Sequence, residues 1–210
     1  MLTYGINYFT GALPALRGQA FDPDAEPFCR RPCADIGCYV WPGDYRPEAR
    51  AYAAWNEEGL HLLLCARERT VSAKTTMFNG PVYQDSCLEF FFGMEGSSAY
   101  MNIEVNAAGC ALIGFGTDRE RRACLPELPE GMNIRASRHE GGWWAVAYTV
   151  PSALIESLFG KAPSAGMALR GNFYCCDETL HPHFGSWSPI QSPEPDFHRP
   201  ECFGKLYLER

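Results

Sequence analysis

The segment at residues 81–93 reads Pro81-Val82-Tyr83-Gln84-Asp85-Ser86-Cys87-Leu88-Glu89-Phe90-Phe91-Phe92-Gly93. It follows a turn signal, Asn79-Gly80, and it ends at a glycine. A short aromatic run between such breakers is typical of a β-strand rather than of a helix. Because side chains alternate along a strand, the segment predicts one apolar face and one face that carries the carboxylate of Glu89. A charged group is rarely buried without a partner, so Glu89 either faces solvent or has one.

The rest of the chain predicts an all-β fold. The predicted strands, several of them joined by tight polar turns, are 2–7, 36–40, 51–55, 60–65, 85–92, 100–106, 110–115, 132–139, 143–150, 168–175 and 205–209. Residues 151–160 predict one short helix, and residues 119–130 and 179–201 predict loops. The pattern indicates one domain over residues 1–210, a two-sheet antiparallel β-sandwich of immunoglobulin-like architecture, with residues 1–50 as an irregular N-terminal wrap.

The composition of the chain argues against two classes of binding partner. The net charge of −7, without a basic cluster, argues against nucleic acid and anionic membranes. We expect a cytoplasmic chain, or an extracellular one if a signal was removed, because no segment resembles a signal peptide or a membrane span.

The ten cysteines lie mostly inside predicted strands, where free cysteine serves as a small apolar residue. Cys29, Cys33 and Cys38 form the one cluster in sequence, and their spacing is loose for zinc. His181, His183 and His198 share the long 179–201 loop, but a His-Pro-His sequence is weak evidence for a metal site.

A candidate site follows from strand alternation. If Met101, Ile103 and Val105 join the core, Glu104 lies on the same opposite face as Glu89, with Tyr100, Asn102 and Asn106. Carboxylates and amides bond hydroxyl groups, and aromatic rings such as Tyr83, Trp187 and Phe197 suit the apolar face of a sugar. Three alternatives remain open at this point: a merely solvated face, a structural Trp187 that plugs one end of the sandwich, and a glycosidase that uses Glu89 and Glu104 as acid and base.

Three blocks together resemble the family 9 carbohydrate-binding modules, which are DOMON-like sandwiches. The blocks are residues 82–92, residues 100–106 with Gly109, and residues 171–174 followed by 186–189 and 197–204. In order and spacing they cover roughly residues 50–210.

The resemblance implies non-catalytic carbohydrate binding, as in modules attached to xylan-degrading enzymes, and a link to polysaccharide catabolism. It implies that Tyr83 and Phe197 clamp a mono- or oligosaccharide and that Glu89 contacts sugar hydroxyls. Asn172 matches a family asparagine on a late strand, and Trp187 matches a structural position. Family members carry structural calcium, although no calcium loop is recognisable in this sequence.

The chain departs from the family pattern at three positions. Tyr83 and Phe197 stand where typical members have tryptophan, and Glu104 stands where an arginine is expected. Two carboxylates on one face need a cation or a bound donor between them. The candidate carbohydrate-binding residues are therefore Tyr83, Glu89, Glu104, Asn172, Trp187 and Phe197. A haem-binding DOMON-like domain, with His61, His139 or a methionine as the axial ligand, is a further alternative.

Overall fold

Thirteen β-strands and one α-helix form the regular structure of residues 1–10 and 32–210, which a computed structural model describes. The strands are β1 Thr3–Tyr8, β2 Ala34–Asp35, β3 Glu48–Asn56, β4 Gly59–Arg67, β5 Cys87–Met94, β6 Tyr100–Asn106, β7 Ala111–Gly116, β8 Ala123–Cys124, β9 Arg135–Arg138, β10 Trp143–Pro151, β11 Ala168–Asp177, β12 His183–Ser186 and β13 Gly204–Glu209. The helix, α1, is Ser152–Phe159.

The strands follow one hydrogen-bonded path, β8-β7-β6-β5-β11-β13-β1-β3-β4-β10-β9, with β12 added to β11 and β2 to β3. The path curls, so that its two halves face each other across a shared core. β1 connects the halves and runs parallel to both β13 and β3, whereas the other pairings are antiparallel. The predicted sandwich is confirmed, with β1 as a parallel connection between its two sheets.

The core contains the apolar face that the 81–93 segment predicts. Phe90 stacks on Phe92 at 5.0 Å between ring centroids and on Phe173 at 4.8 Å. The predicted partners from β6 are fully buried beside them, and β4 and β10 supply the opposite wall. Burying one such side chain stabilises the fold by about 1.5–3 kcal/mol.

The other face of β5, β6 and β11 is also covered, so the solvated-face alternative is wrong. All seven residues of β6 are buried. A second apolar cluster lies on this face, formed by Trp41, Phe91, Tyr100, Tyr174, Phe197 and Phe203 among others. The chain around Trp41 and the 187–203 segment pack over the sheet, which makes this face an enclosed environment.

Three short elements differ from prediction. The strand predicted at 36–40 is wrong, because only Cys38 forms a bridge there, to Ser186, and the strand lies earlier, at Ala34–Asp35. The predicted loops at 179–201 and 119–130 contain β12 and β8, which pair with β11 and β7. Strands this short carry little local pattern, and tertiary pairing decides them.

The predicted helix is confirmed. α1 ends at Gly160, whose φ of 74° is left-handed and whose N–H bonds to Glu156 O. Within the described residues, no helix is long and apolar enough to cross a membrane.

Candidate functional site

A cleft opens on the covered outer face of β5, β6 and β11. Its cavity volume is about 70 Å³, and its lining includes Tyr83, Glu89, Glu104, Arg122, Phe197 and His198. A single buried water needs roughly 10–15 Å³, so the cleft admits a group of several heavy atoms.

Two carboxylates form one wall of the cleft. Glu89 on β5 and Glu104 on β6 are direct cross-strand partners, as strand alternation predicts. Both are buried, with 2% and 3% of their surface exposed. Cys176 Sγ donates to Glu89 Oε1 at 3.2 Å, and Asn102 Nδ2 donates to Glu104 Oε1 at 2.9 Å. Glu89 is therefore a buried carboxyl group with partners.

Burial controls the protonation of this pair. It raises the pKa of Glu89 well above the ordinary value, and the neighbouring charge of Glu104 raises it further. Burial also raises the pKa of Glu104, while the Arg122 guanidinium and the Asn102 amide oppose that shift. The pair therefore retains a proton near neutral pH, and it can both donate and accept hydrogen bonds.

Arg122 supplies the cation that two adjacent carboxylates need. It directly precedes β8, and its Nη1 lies 3.6 Å from Glu104 Oε1. The side chain crosses β7 at Gly114, where a Cβ would lie only 3.3 Å from Arg122 Cδ. Glycine at that position leaves the space through which the arginine reaches β6.

His198 extends the polar network on the far side of Arg122. Arg122 Nη1 donates to His198 Nε2 at 2.6 Å, which makes Nε2 the acceptor and leaves the proton on Nδ1. Nδ1 lies 2.8 Å from the hydroxyl of Tyr100. Burial, with the positive charges of Arg122 and Arg119, lowers the pKa of His198 to about 3, so the ring is neutral at physiological pH.

The two predicted clamp aromatics both line the cleft. Tyr83 is half-buried in a single 3-10 turn, Val82–Gln84. Phe197 is 9% exposed, and its ring stacks on Tyr174 at 4.2 Å with only 8° between the planes. Tyr174 also donates its hydroxyl proton to Phe197 O at 3.1 Å. Phe197 is thus held rigidly, while Tyr83 keeps an accessible surface.

Asn172 and Trp187 lie away from the cleft. The amide of Asn172 donates to Ser188 O at 2.9 Å, and its Oδ1 accepts the N–H groups of Ser188 and Phe173. Trp187 packs in the main core against Tyr4 and Phe173. The structure brings four of the six predicted site residues together, and it gives these two a position that anchors the 187–189 segment to β11.

Several cleft residues were not predicted from the sequence. Arg122 and Arg119 belong to a segment treated as a charged loop, and no local spacing connects them with Glu104. Phe184 and Cys176 also line the cleft, from β12 and β11. Strand alternation applied to 168–177 would have placed Cys176 on the Glu89 face, since Tyr174 and Glu89 are cross-strand partners.

Two groups of side chains in the described part of the chain could hold a metal ion. They are Cys87, Glu89 and Cys176 at the floor of the cleft, and Glu68, Cys175 and His183 inside the sandwich. Both include a thiol, which suits a softer metal than calcium. Cys33 and Cys38 are free thiols, and Cys29 lies outside the described residues. His61 has hydrogen-bond partners on both ring nitrogens, Thr149 and Asn56, so neither is free for haem iron.

The protein is a β-sandwich in which one sheet face is covered except for a small cleft. The cleft is lined by carboxyl, guanidinium and aromatic groups, which is typical of a module that binds a small ligand. The chain belongs to carbohydrate-binding family 9, whose model matches residues 28–208. The family and the carbohydrate binding that the three sequence blocks imply are thereby confirmed. No curated protein matches the chain significantly.

Solved structures agree with this assignment. A candidate carbohydrate-binding protein from Bacteroides uniformis ATCC 8492 is 28% identical, with 99% of both chains covered and a TM-score of 0.79. A family 9 module from Caldicellulosiruptor kristjanssonii, solved in complex with glucose, is 10% identical, with 99% and 96% coverage and a TM-score of 0.66. The complex of a family 9 module from that organism with cellotriose gives a TM-score of 0.63 at 10% identity, with 99% and 94% coverage. At 10% identity these two show the shared fold.

Proposed function

We propose that the cleft binds one sugar ring of a mono- or oligosaccharide, with Tyr83 and Phe197 against its apolar face. The observation that supports this most directly is the convergence of two aromatic rings, two buried carboxyl groups and one guanidinium on a single small cleft. A pyranose presents C–H groups on its faces and hydroxyls on its rim, so it needs both kinds of contact.

The polar groups have complementary roles toward hydroxyls. Arg122 can only donate hydrogen bonds, so it serves hydroxyl oxygens. Glu89 and Glu104 accept hydrogen bonds from hydroxyl groups when they are ionised, and the one that retains a proton donates a hydrogen bond as well. A net hydrogen bond to a charged group contributes about 1.5–3 kcal/mol. Two or three such bonds and two ring contacts are consistent with a dissociation constant between about 1 μM and 1 mM, which corresponds to roughly 4–8 kcal/mol.

The position of the carboxyl groups favours binding over hydrolysis. A glycosidase places its two carboxyl groups on either side of the bond that it cleaves. Glu89 and Glu104 are instead side by side on neighbouring strands, within one wall of the cleft. We therefore assign them to hydroxyl recognition. Release of chromophore from aryl glycosides by the wild type, abolished by Glu89→Gln, would contradict this assignment.

Isothermal titration calorimetry tests the proposal. We would titrate the chain with glucose, xylose, cellotriose and xylotriose, and repeat the ligand that binds with Tyr83→Ala and Phe197→Leu. Loss of a ring contact of about 1.5–3 kcal/mol corresponds to a roughly 10–100-fold weaker affinity. The matched control is Tyr207→Ala, a half-buried tyrosine on β13 outside the cleft. Unchanged affinity in Tyr83→Ala and Phe197→Leu, with both variants folded, would refute the clamp.

A further inference from the structure

A second cluster of chemically capable side chains lies on the opposite face of β11 from the cleft. Glu68, Cys175 and His183 are all buried, and their ligand atoms lie within 4.8 Å of one another. Cys175 and Cys176 are adjacent in sequence, so one side chain faces the core and the other faces the cleft. The cluster is therefore separate from the proposed sugar site.

We propose that Glu68, Cys175 and His183 bind a zinc ion that ties β4 to β11 and β12. Thiolate, imidazole and carboxylate are the three side-chain ligand types that zinc uses, whereas calcium prefers an all-oxygen shell. Glu68 directly follows β4, Cys175 lies on β11, and His183 begins β12. The ion would connect one half of the curled sheet to the hairpin of the other.

The spacing of the ligand atoms matches zinc. Cys175 Sγ lies 3.5 Å from His183 Nε2. Zinc–sulfur and zinc–nitrogen bonds of about 2.3 and 2.0–2.1 Å at a tetrahedral angle place those two atoms roughly 3.6 Å apart. In the metal-free protein the same distance is a thiol-to-imidazole hydrogen bond, which holds the two ligand atoms at the spacing that zinc needs.

Neighbouring groups hold the imidazole of His183 and the carboxylate of Glu68 in place, as the groups around metal ligands do. His183 Nδ1 lies 2.7 Å from His181 O, so Nδ1 carries the proton and Nε2 has its lone pair available. Glu68 Oε1 accepts from Trp144 Nε1 at 2.9 Å, and Oε2 accepts from Ser86 Oγ at 2.6 Å. Each carboxylate oxygen keeps a second lone pair for an ion. Both ligands are thus oriented before any metal arrives.

Asp177 gives an independent reason to expect a cation. It is 1% exposed, it lies two residues beyond Cys175 on the same face of β11, and it is the cross-strand partner of His183. Its Oδ1 accepts two backbone N–H groups, from Thr179 and Leu180, but its Oδ2 has no hydrogen-bond partner in the described structure. A buried carboxylate oxygen without a partner is costly, and a divalent cation nearby would offset that cost.

One ligand of the cluster borders an open cavity. Glu68 and Tyr45 line a cavity of about 490 Å³ that opens beside the cluster. The Tyr45 ring stands edge-on to the His183 ring at 5.4 Å between centroids. Binding there would convert the Cys175 thiol to a thiolate and release its proton to solvent.

Metal titration of the full chain tests the proposal. After stripping with a chelator, zinc chloride should restore roughly one bound ion per chain and raise the unfolding temperature, because binding to the folded state stabilises it. Cobalt in place of zinc should give the near-ultraviolet thiolate-to-cobalt absorption band and the visible bands of tetrahedral coordination. No retained zinc and no thiolate band in the wild type would overturn the proposal.

Variants then locate the ion. Cys175→Ser should remove the cobalt–thiolate band. His183→Gln should weaken zinc binding by more than about 10–100-fold, the loss typical when a group that only hydrogen-bonds to a metal ligand is removed. Cys65→Ser, at another fully buried strand cysteine, is the matched control and should keep the band. A band that persists in Cys175→Ser but vanishes in Cys87→Ser would place the metal at the cleft floor and refute this site. If Cys175→Ser fails to fold, Glu68→Gln and His183→Gln carry the same test.

Discussion

The link between Arg122 and Glu104 predicts a pH-dependent loss of stability in Arg122→Met. Two unit charges 3.6 Å apart attract by roughly 4–5 kcal/mol at an effective dielectric constant of about 20. Desolvation of the arginine, whose side chain is only 16% exposed, offsets part of this attraction, leaving about 2 kcal/mol. The separate hydrogen bond to His198 contributes about 1.5–3 kcal/mol at both pH 6 and pH 9, because that ring is neutral at both pH values.

The pH dependence comes from Glu104. Burial raises its pKa and Arg122 opposes this, so removal of Arg122 raises the pKa further. At pH 6 the carboxyl takes up a proton in both proteins, and only the His198 bond is lost, at about 2 kcal/mol. At pH 9 the wild type holds an ionised, paired Glu104, and the variant should lose about 4 kcal/mol.

Urea denaturation at pH 6 and pH 9 measures this difference. The matched control is Arg121→Met, one residue away, because that side chain is 81% exposed and its ion pair with Asp118 is a surface one. A pair this exposed contributes little to stability at either pH, because solvent screens its charges. An equal loss at both pH values in Arg122→Met would refute the electrostatic role of the arginine.

Three further predictions concern the elements that support the cleft. Asn172→Ala removes three buried hydrogen bonds and should destabilise the fold by about 2–4 kcal/mol in urea, while the folded variant keeps its sugar affinity in calorimetry. Gly204→Ala places a methyl group against the Trp187 ring and should lower the free energy of unfolding by about 1–3 kcal/mol, as measured by thermal unfolding. Gly96→Ala is its control, because Gly96 has open space around it but a φ of 80°, so that variant reports backbone strain alone. Burial raises the pKa of Asp85, but hydrogen bonds from the backbone N–H groups of Lys74 and Thr75 lower it overall. Ionised Asp85 therefore stabilises the fold above its unfolded pKa, and this stabilisation is lost as the pH falls through the lowered pKa of the folded state. Asp85→Asn should destabilise the fold at pH 7 in urea denaturation and should have its smallest effect in acid denaturation.

The long strands were predictable because alternation over six or more residues identifies both the strand and its faces. The 81–93 segment placed Phe90 and Phe92 in the core and Glu89 opposite them, and the structure agrees. The two-residue strands and β12 were not predictable in the same way. Their pairing depends on β3, β7 and β11, and nothing in their own residues distinguishes them from loop.

Side chains on the predicted polar face have different roles, and the sequence alone does not distinguish these roles. Asn106 shares a face with Glu104, yet its amide donates to Asp85 and Thr75, and its oxygen caps the β6–β7 turn. Asn102 instead donates to Glu104 inside the covered face. Strand alternation predicts on which face of the sheet a side chain lies, whereas the role of that side chain depends on which loop covers it there.

Glu104 stands where the resemblance to family 9 implies an arginine, so the cation of the cleft must come from another position. The resemblance implies a cation on the β6 strand, and this chain has a carboxylate there. The guanidinium comes instead from Arg122, which reaches the same wall across Gly114 on β7. The charges at the cleft are thus balanced by a residue more distant in sequence, on a different element. Comparison residue by residue shows only that the expected arginine is missing at position 104. Two adjacent carboxylates, however, require a cation beside them, and Arg122 is that cation. In this cleft Arg122 meets the charge balance that two adjacent carboxylates require, and it is the residue at which sugar specificity should be tested first.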